Sequence, residues 1–295
     1  MSKVTTQHWN GAAAGVFRES RMAGPPIEEP ATPERGEQAS SAAVGRAGMM
    51  SRMGRFAVVV YGLAAYATFL AAFTYAIGFV GNWVVPKGID DGSPGALVPS
   101  LLINGILLCA FVVQHTVMAR PAFKRWWVRI VPAAIERSTF VLLASVILLV
   151  TFWQWRPLPG VVWTVESTAG RYALVGLSLL GWGTVLLSSF MVSHFDLFGL
   201  RQVWFALRAR AYRPVGFRLR GLYRLVRHPL MVGFLIAFWA TPDMSVGHLF
   251  FAVMTTAYIF FGTHVEERDL ITEHGESYLG YRRKVRGFVP IPKRA

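Results

Sequence analysis

The sequence predicts an all-α, polytopic integral membrane protein with about five to six transmembrane helices. The last two should form a short helical hairpin, followed by a cytoplasmic C-terminal helix. Three observations carry this reading. Hydrophobic residues make up 54% of the 295-residue chain and charged residues only 16%, more apolar than an ordinary soluble domain. The apolar residues fall in long blocks. The net charge of +14, largely arginine, sits between those blocks.

Residues 1–50 are rich in Ala, Gly, Pro, Ser and Glu and lack a hydrophobic period. They read as a disordered tail, and no apolar h-region marks them as a cleaved signal peptide. Phe56–Val80 is the first stretch long enough to span, preceded by Arg52 and Arg55. Ala96–Ala119, Thr139–Trp155 and Tyr172–Val192 follow, so residues 51–193 supply four spans. The lone Cys109 lies in an apolar run and reads as packing, with no intrachain disulfide possible.

The loops set the orientation. Loop 81–95 carries Lys87, Asp90 and Asp91, whereas loop 120–137 carries Arg120, Lys124, Arg125, Arg129 and Arg137. Loop 156–171 sets Arg156 and Arg171 against Glu166. Stretch 193–228 holds Arg201, Arg208, Arg210, Arg213, Arg218, Arg220, Arg224 and Arg227. The positive-inside rule then places both termini and the two rich loops in the cytoplasm. Anionic membrane lipids are the partners such clusters suit. Nucleic acid is set aside, because no binding fold accompanies the charge.

Residues 194–295 form the second part. "DLFGLRQVWFALRAR", 196–210, alternates bulky apolar residues with arginine and reads as an interfacial amphipathic helix, with Trp204 at headgroup level. "RHPLMVGFLIAFWATP", 227–242, is apolar only from Leu230 to Ala240, about half a span. Charge on either side is cytoplasmic, so the chain must enter and return. Thr241 to Ser245 is turn material. The arms are then 229–241 and 246–263, the first reaching roughly 20 Å into a core about 30 Å thick. Residues 266–285 read as a polar cytoplasmic helix, or helix pair, broken near Gly275.

Several residues are candidates for chemistry. Pro229 suits the first helical position, which puts His228 at the N-cap beside unpaired N–H groups that attract a carboxylate or phosphate. Gly233, one turn in, leaves room for a ligand or a neighbouring helix. The plain alternative is that Arg227 and His228 only anchor the helix at the headgroups. Glu266 and Glu267 return to the same face, either to pair with arginines or to hold a ligand's hydroxyls or ammonium. Tyr278 and Tyr281 share a helix face. His194 and Asp196 lie where the fourth span exits. His115, inside the second apolar segment, either acts or pairs with Gln114 or Thr116. No HExxH or CxxC spacing occurs, so no metal is expected. No Walker loop, GxGxxG or GxSxG elbow is present.

"LYRLVRHPLMVGFLIAFWA", followed by "EERDLITEHGESYLGYRRKVRGFVPIP", resembles the C-terminal signature of isoprenylcysteine carboxyl methyltransferase-like and phospholipid methyltransferase-like membrane enzymes. "SHFDLFGLRQVWFALRARAYRPVGF" and "FWATPDMSVGHLFFAVMTTAYI" narrow the likeness to the bacterial membrane-bound methanethiol S-methyltransferases, over most of residues 55–292. The resemblance implies S-adenosylmethionine-dependent methylation of methanethiol to dimethyl sulfide at the cytoplasmic face of a bacterial inner membrane. It implies that Tyr223, Arg227, His228, Met231, Gly233, Glu266, Glu267, Tyr278 and Tyr281 surround the cofactor. His194, Asp196 and Gln202 would meet the thiol substrate. A thiol of pKa about 8.5 or above needs a base or a cation. His194 ranks first and His228 second as base, with Arg201 and Arg227 as cations. One departure stands out. The family has Tyr two residues after the motif's proline, where this chain has Met231, which still packs against an adenine or a methyl group. The alternatives are a methyltransferase for a lipid headgroup, a prenylcysteine or another small thiol, and a non-enzymatic transporter or sensor of related fold.

Overall fold

The computed structural model describes residues 51–213, 215 and 220–291. The tail expected over 1–50, and Arg218, Lys293 and Arg294 of the basic clusters, lie outside the described residues. Five helices are long and apolar enough to cross a membrane: α1 (Arg52–Gly81), α2 (Leu97–Ala119), α4 (Glu136–Gln154), α5 (Thr168–Val192) and α9 (Val246–His274). The shorter helices are α3 (Pro121–Trp127), α6 (His194–Leu197), α7 (Leu200–Leu207), α8 (Pro229–Trp239) and α10 (Glu276–Lys284). The protein is therefore an all-α polytopic membrane protein.

The helix starts follow local chemistry. Ser51 Oγ accepts from Gly54 N at 3.0 Å at the head of α1. Ser167 and Ser245 cap α5 and α9 in the same way. Each side chain satisfies one of the N–H groups that a helix start leaves open. The break near Gly275 is where it was expected. Gly275 has φ 54, a conformation that favours glycine, and it separates α9 from α10.

Two expectations are corrected. The amphipathic stretch 196–210 is not one helix but two, α6 and α7, joined at Gly199 with φ 87. A Cβ there would lie 2.7 Å from Ser138 N, so the chain must bend where it meets the start of α4. The turn between the hairpin arms is also not a free turn. Residues Asp243–Ser245 form β2 and pair antiparallel with β1 (Val161–Thr164). Strands of four and three residues carry no readable period.

The principal neighbour of α8 is α5. A Cβ on Gly233 would lie 2.7 Å from Gly181 O and 2.8 Å from Val185 N. A Cβ on Gly181 would lie 2.6 Å from Ala237 N, and Ser178 Oγ donates to Ala237 O at 3.0 Å. The helices thus run antiparallel, backbone to backbone, as small residues allow in membranes. The same register, extended one turn, sets Ser189 level with Pro229. The eleven residues of α8 give about 16 Å of helix. Extended residues 240–245 then continue along α5 until Asp243 meets Arg171, with Nη2 2.6 Å from Oδ2. From Arg171 to Ser189 is about 27 Å of helix, close to a bilayer core. A short helix and an extended segment together make the crossing.

Phe79, Phe152, Trp155, Trp182, Phe238 and Phe251 form the main core. His248 Nε2 donates to Phe238 O at 2.9 Å and ties the end of α8 to α9. Asp90, Arg156, Arg171 and Asp243 gather at this end of the bundle. The arginine-rich elements lie at the other.

Candidate active site

At the arginine-rich end, α8 begins beside the last turns of α9. His228 is the N-cap residue of α8 and Pro229 its first residue, as the sequence predicts. The His228 side chain caps nothing on its own helix. Its Nε2 lies 2.9 Å from Glu267 Oε1 on α9. A carboxylate only accepts, so Nε2 is the donor. The same oxygen takes Arg227 Nη2 at 2.6 Å and Nε at 2.7 Å. Arg282 Nε, on α10, approaches Glu267 Oε2 at 3.4 Å. Glu267 is thus the knot that ties the start of α8 to α9 and α10.

Glu266, one residue earlier, is differently placed. His228 Nδ1 lies 3.8 Å from its Oε2, beyond hydrogen-bond length, and its side chain is 33% exposed against 13% for Glu267. Neighbouring residues of one helix face different ways, and here one carboxylate faces the knot while the other remains accessible.

The chain after α10 closes over this mouth. Arg227 N donates to Arg286 O at 2.8 Å and His228 N to Gly287 O at 3.0 Å, a short parallel pairing. Arg227 Nη1 donates to Val285 O. Phe288 stacks on the His228 ring with centroids 5.6 Å apart, and Phe260 of α9 meets Phe288 at 4.9 Å. The sequence reading assigned no role to Arg282 or to residues 285–288. Their extended pairing spans too few residues to leave a pattern.

Tyr278 and Tyr281 are both buried and meet edge to face at 5.9 Å. Tyr281 Oη donates to Tyr223 O at 2.6 Å, which fixes α10 to the 3-10 turn Gly221–Arg224. Burial pushes the Tyr223, Tyr278 and Tyr281 phenols up; Glu266 adds to this at Tyr223 and Glu267 at Tyr278, while the Arg227 charge opposes it at Tyr278 and Tyr281. All three stay protonated donors at neutral pH. Tyr223, Arg227, His228, Glu266, Glu267, Tyr278 and Tyr281 therefore come together. Met231 lies partly buried in the first turn of α8. The space at Gly233 is taken by a neighbouring helix, α5, one of the two occupants the sequence allowed.

The remaining candidates form a second group around α6 and α7. His194 is buried, and its ring is held from both sides: Nδ1 2.8 Å from Ser189 Oγ and Nε2 2.8 Å from Tyr66 Oη. Phe190 stacks flat on it at 4.2 Å. Asp196 accepts from Tyr212 Oη at 2.7 Å. The Arg201 guanidinium lies over Phe205 and Tyr212, at 5.4 and 5.9 Å from the ring centroids. Gln202 is buried, and its Oε1 has no partner among the described residues. Met191, just before His194, links the groups by accepting from Leu222 N at 3.4 Å. Among the described residues no cluster of His, Cys, Asp and Glu suits a metal ion.

The whole chain can be set beside known proteins. It is 53% identical over 242 residues to "Methanethiol S-methyltransferase" of Mycobacterium tuberculosis, covering 82% of this chain and 99% of that one. It is 53% identical over 236 residues to "Methanethiol S-methyltransferase 2" of Bradyrhizobium diazoefficiens, covering 80% and 91%. The chain belongs to the methanethiol S-methyltransferase family. A more distant likeness, 29% over 177 residues, is to "Nurim homolog" of Drosophila pseudoobscura pseudoobscura, covering 58% of this chain and 70% of that one. No family model and no solved structure matches the chain.

Proposed function

We propose that the protein transfers a methyl group from S-adenosylmethionine to methanethiol, giving dimethyl sulfide, at the cytoplasmic face of a bacterial inner membrane. The names of the relatives support the acceptor and the reaction class. The arginine alternation supports the face. The observation that carries the donor site is the division of labour between adjacent carboxylates. Glu267 is committed to Arg227, His228 and Arg282, whereas the one ion-pair contact of Glu266 among the described residues is the 3.8 Å approach to His228 Nδ1.

The residues fit an amino-acid donor. Glu266 suits an ammonium or a pair of ribose hydroxyls. Pro229 has no N–H, but Leu230 and Met231 start a helix and have no carbonyl four residues back within it. Those N–H groups suit a carboxylate. Met231 adds an apolar wall. When bound, S-adenosylmethionine supplies an electrophilic methyl on a sulfonium sulfur.

The chain's own work is holding, drying and aligning. The Glu267 knot fixes His228 and Arg227 before anything binds. Phe288, stacked on His228 and meeting Phe260, places apolar rings beside the mouth. A dry site favours a reaction in which positive and negative charge cancel. Alignment of the reacting atoms at roughly 3–3.5 Å supplies much of the remaining rate.

The test uses purified protein in detergent with methyl-deuterated S-adenosylmethionine and methanethiol. Trideuterated dimethyl sulfide in the headspace is expected. Label appearing in a lipid headgroup or a prenylcysteine, with none in dimethyl sulfide, overturns the acceptor.

A further inference from the structure

His115 lies outside the mouth. It stands on α2, in a box of three aromatic rings. Phe111 stacks on it at 5.2 Å, Phe140 lies at 4.9 Å, and Tyr258 of α9 stands edge-on at 6.4 Å. Its Nδ1 is out of solvent contact and has no hydrogen-bond partner among the described residues. Buried polar atoms in folded proteins are normally paired, so such an atom needs a reason.

The neighbours expected to pair with it do not. Gln114 Nε2 goes to Met118 Sδ at 3.2 Å and Phe140 O at 3.4 Å. Thr116 Oγ1 donates to Tyr258 Oη at 3.4 Å. The three buried histidines are engaged. His194 is held through both nitrogens, and His228 Nε2 is held by Glu267. His248 Nδ1 is also unpaired, but its Nε2 holds Phe238 O at the opposite end of the bundle.

Tyr258 connects the box to the donor site. It lies eight residues before Glu266 on α9, about 12 Å along the helix. Helices α2 and α9 run in the same direction and are tied by Arg120 Nη1 to Asp269 Oδ2 at 2.9 Å. The box therefore sits deeper in the bundle than Glu266, between α2, α4 and α9.

We infer that this box holds the thiol and that His115 Nδ1 is the base that takes its proton, an assignment that rests on the proposed methyl transfer. The S–H bond breaks and its proton goes to Nδ1. The sulfur pair freed by that proton forms the new C–S bond. The old methyl–sulfonium bond breaks, and its electron pair stays on the donor sulfur. The proton leaves His115 for water after the thioether departs. No oxidant or reductant is needed. Aromatic rings suit a methyl group and a polarisable sulfur, and Arg137, 5.0 Å from the Phe140 centroid, is the charged group that faces the box from α4.

The test compares wild type, His115→Gln and Phe140→Trp. In His115→Gln, kcat/KM for methanethiol falls about 100-fold near neutral pH. The deficit narrows at alkaline pH as thiolate arrives ready-made, while the calorimetric Kd for S-adenosylmethionine is unchanged. Phe140→Trp narrows the box, raising KM while keeping the wild-type pH profile. Apart from turnover, methanethiol added without methyl donor shifts the ¹⁵N imidazole resonance of His115 in wild type and leaves that of His194 in place. Dimethyl sulfide formation with an unaltered His115→Gln profile, or no His115 shift, overturns the base assignment alone. No dimethyl sulfide from wild type defeats the methyl transfer and the base role together.

Discussion

His228 Nε2 lies 2.9 Å from Glu267 Oε1, the same oxygen that takes Arg227 Nη2 at 2.6 Å. One carboxylate thereby joins the start of the short helix to the long one. The side chains are 5%, 13% and 10% exposed for His228, Glu267 and Arg227. Glu267→Ala would leave a guanidinium and an imidazole buried without their acceptor. Breaking a buried pair from one side costs about 3–5 kcal/mol. A clear drop in the detergent melting temperature is expected, with a smaller one for Glu267→Gln. Melting at the wild-type temperature would show that the knot does not hold the mouth.

Gly233 and Gly181 set the approach of α8 to α5. A methyl at Gly233 meets Gly181 O and Val185 N inside 3 Å, and both are backbone atoms that cannot swing aside. Gly233→Ala should cost about 1–3 kcal/mol through overpacking. Gly183→Ala on α5, where a Cβ meets nothing within 4 Å, is the control and should melt like wild type. If both variants behave alike, close packing is not what Gly233 is for.

His194 ranks first as base on sequence, but both of its nitrogens are held, by Tyr66 and Ser189. His194→Gln should lower the melting temperature, since two hydrogen bonds at about 1 kcal/mol each and the Phe190 stacking are lost. Its pH profile for methanethiol turnover should keep the wild-type shape. A profile that shifts with His194→Gln, in the manner expected for His115→Gln, would return the base role to His194.

Lys124 gives a pH signature. It is a buried residue of α3, and burial, helped by the Arg137 charge, pushes its pKa down to about 8 from 10.5. A depressed lysine disfavours folding while both states are charged, below about pH 8. Between there and 10.5 the unfolded chain binds more protons, so stability rises with pH. Melts at pH 7.5, 8.5 and 9.5 should climb in wild type and climb less in Lys124→Met. Parallel curves would contradict the assignment.

Much of this architecture was legible because membrane spans are written in long runs. Spans and the break at Gly275 follow from hydropathy and glycine. His228-Pro229 announced a helix start, and the arginine blocks announced which end it belongs to. The sequence did not reveal what only tertiary contact decides. The pairing of 226–228 with 286–287, the two short strands, and the bend at Gly199 over Ser138 involve few residues and distant partners. Nor could it say which of two adjacent glutamates would be committed. His115 illustrates the limit well: its position in an apolar run was visible, but its missing partner was not.

In the proposed reaction Glu266, beside the N-terminus of the short helix, receives the methyl donor while Glu267 builds the site. Calorimetric titration of S-adenosylmethionine into wild type and Glu266→Gln, each checked by melting temperature, tests it most directly. Saturable binding to wild type is expected, weakened about tenfold or more in Glu266→Gln, as for loss of a charge-assisted hydrogen bond, with an unchanged melt. Equal affinity in the two proteins, or no binding to wild type, would contradict the account.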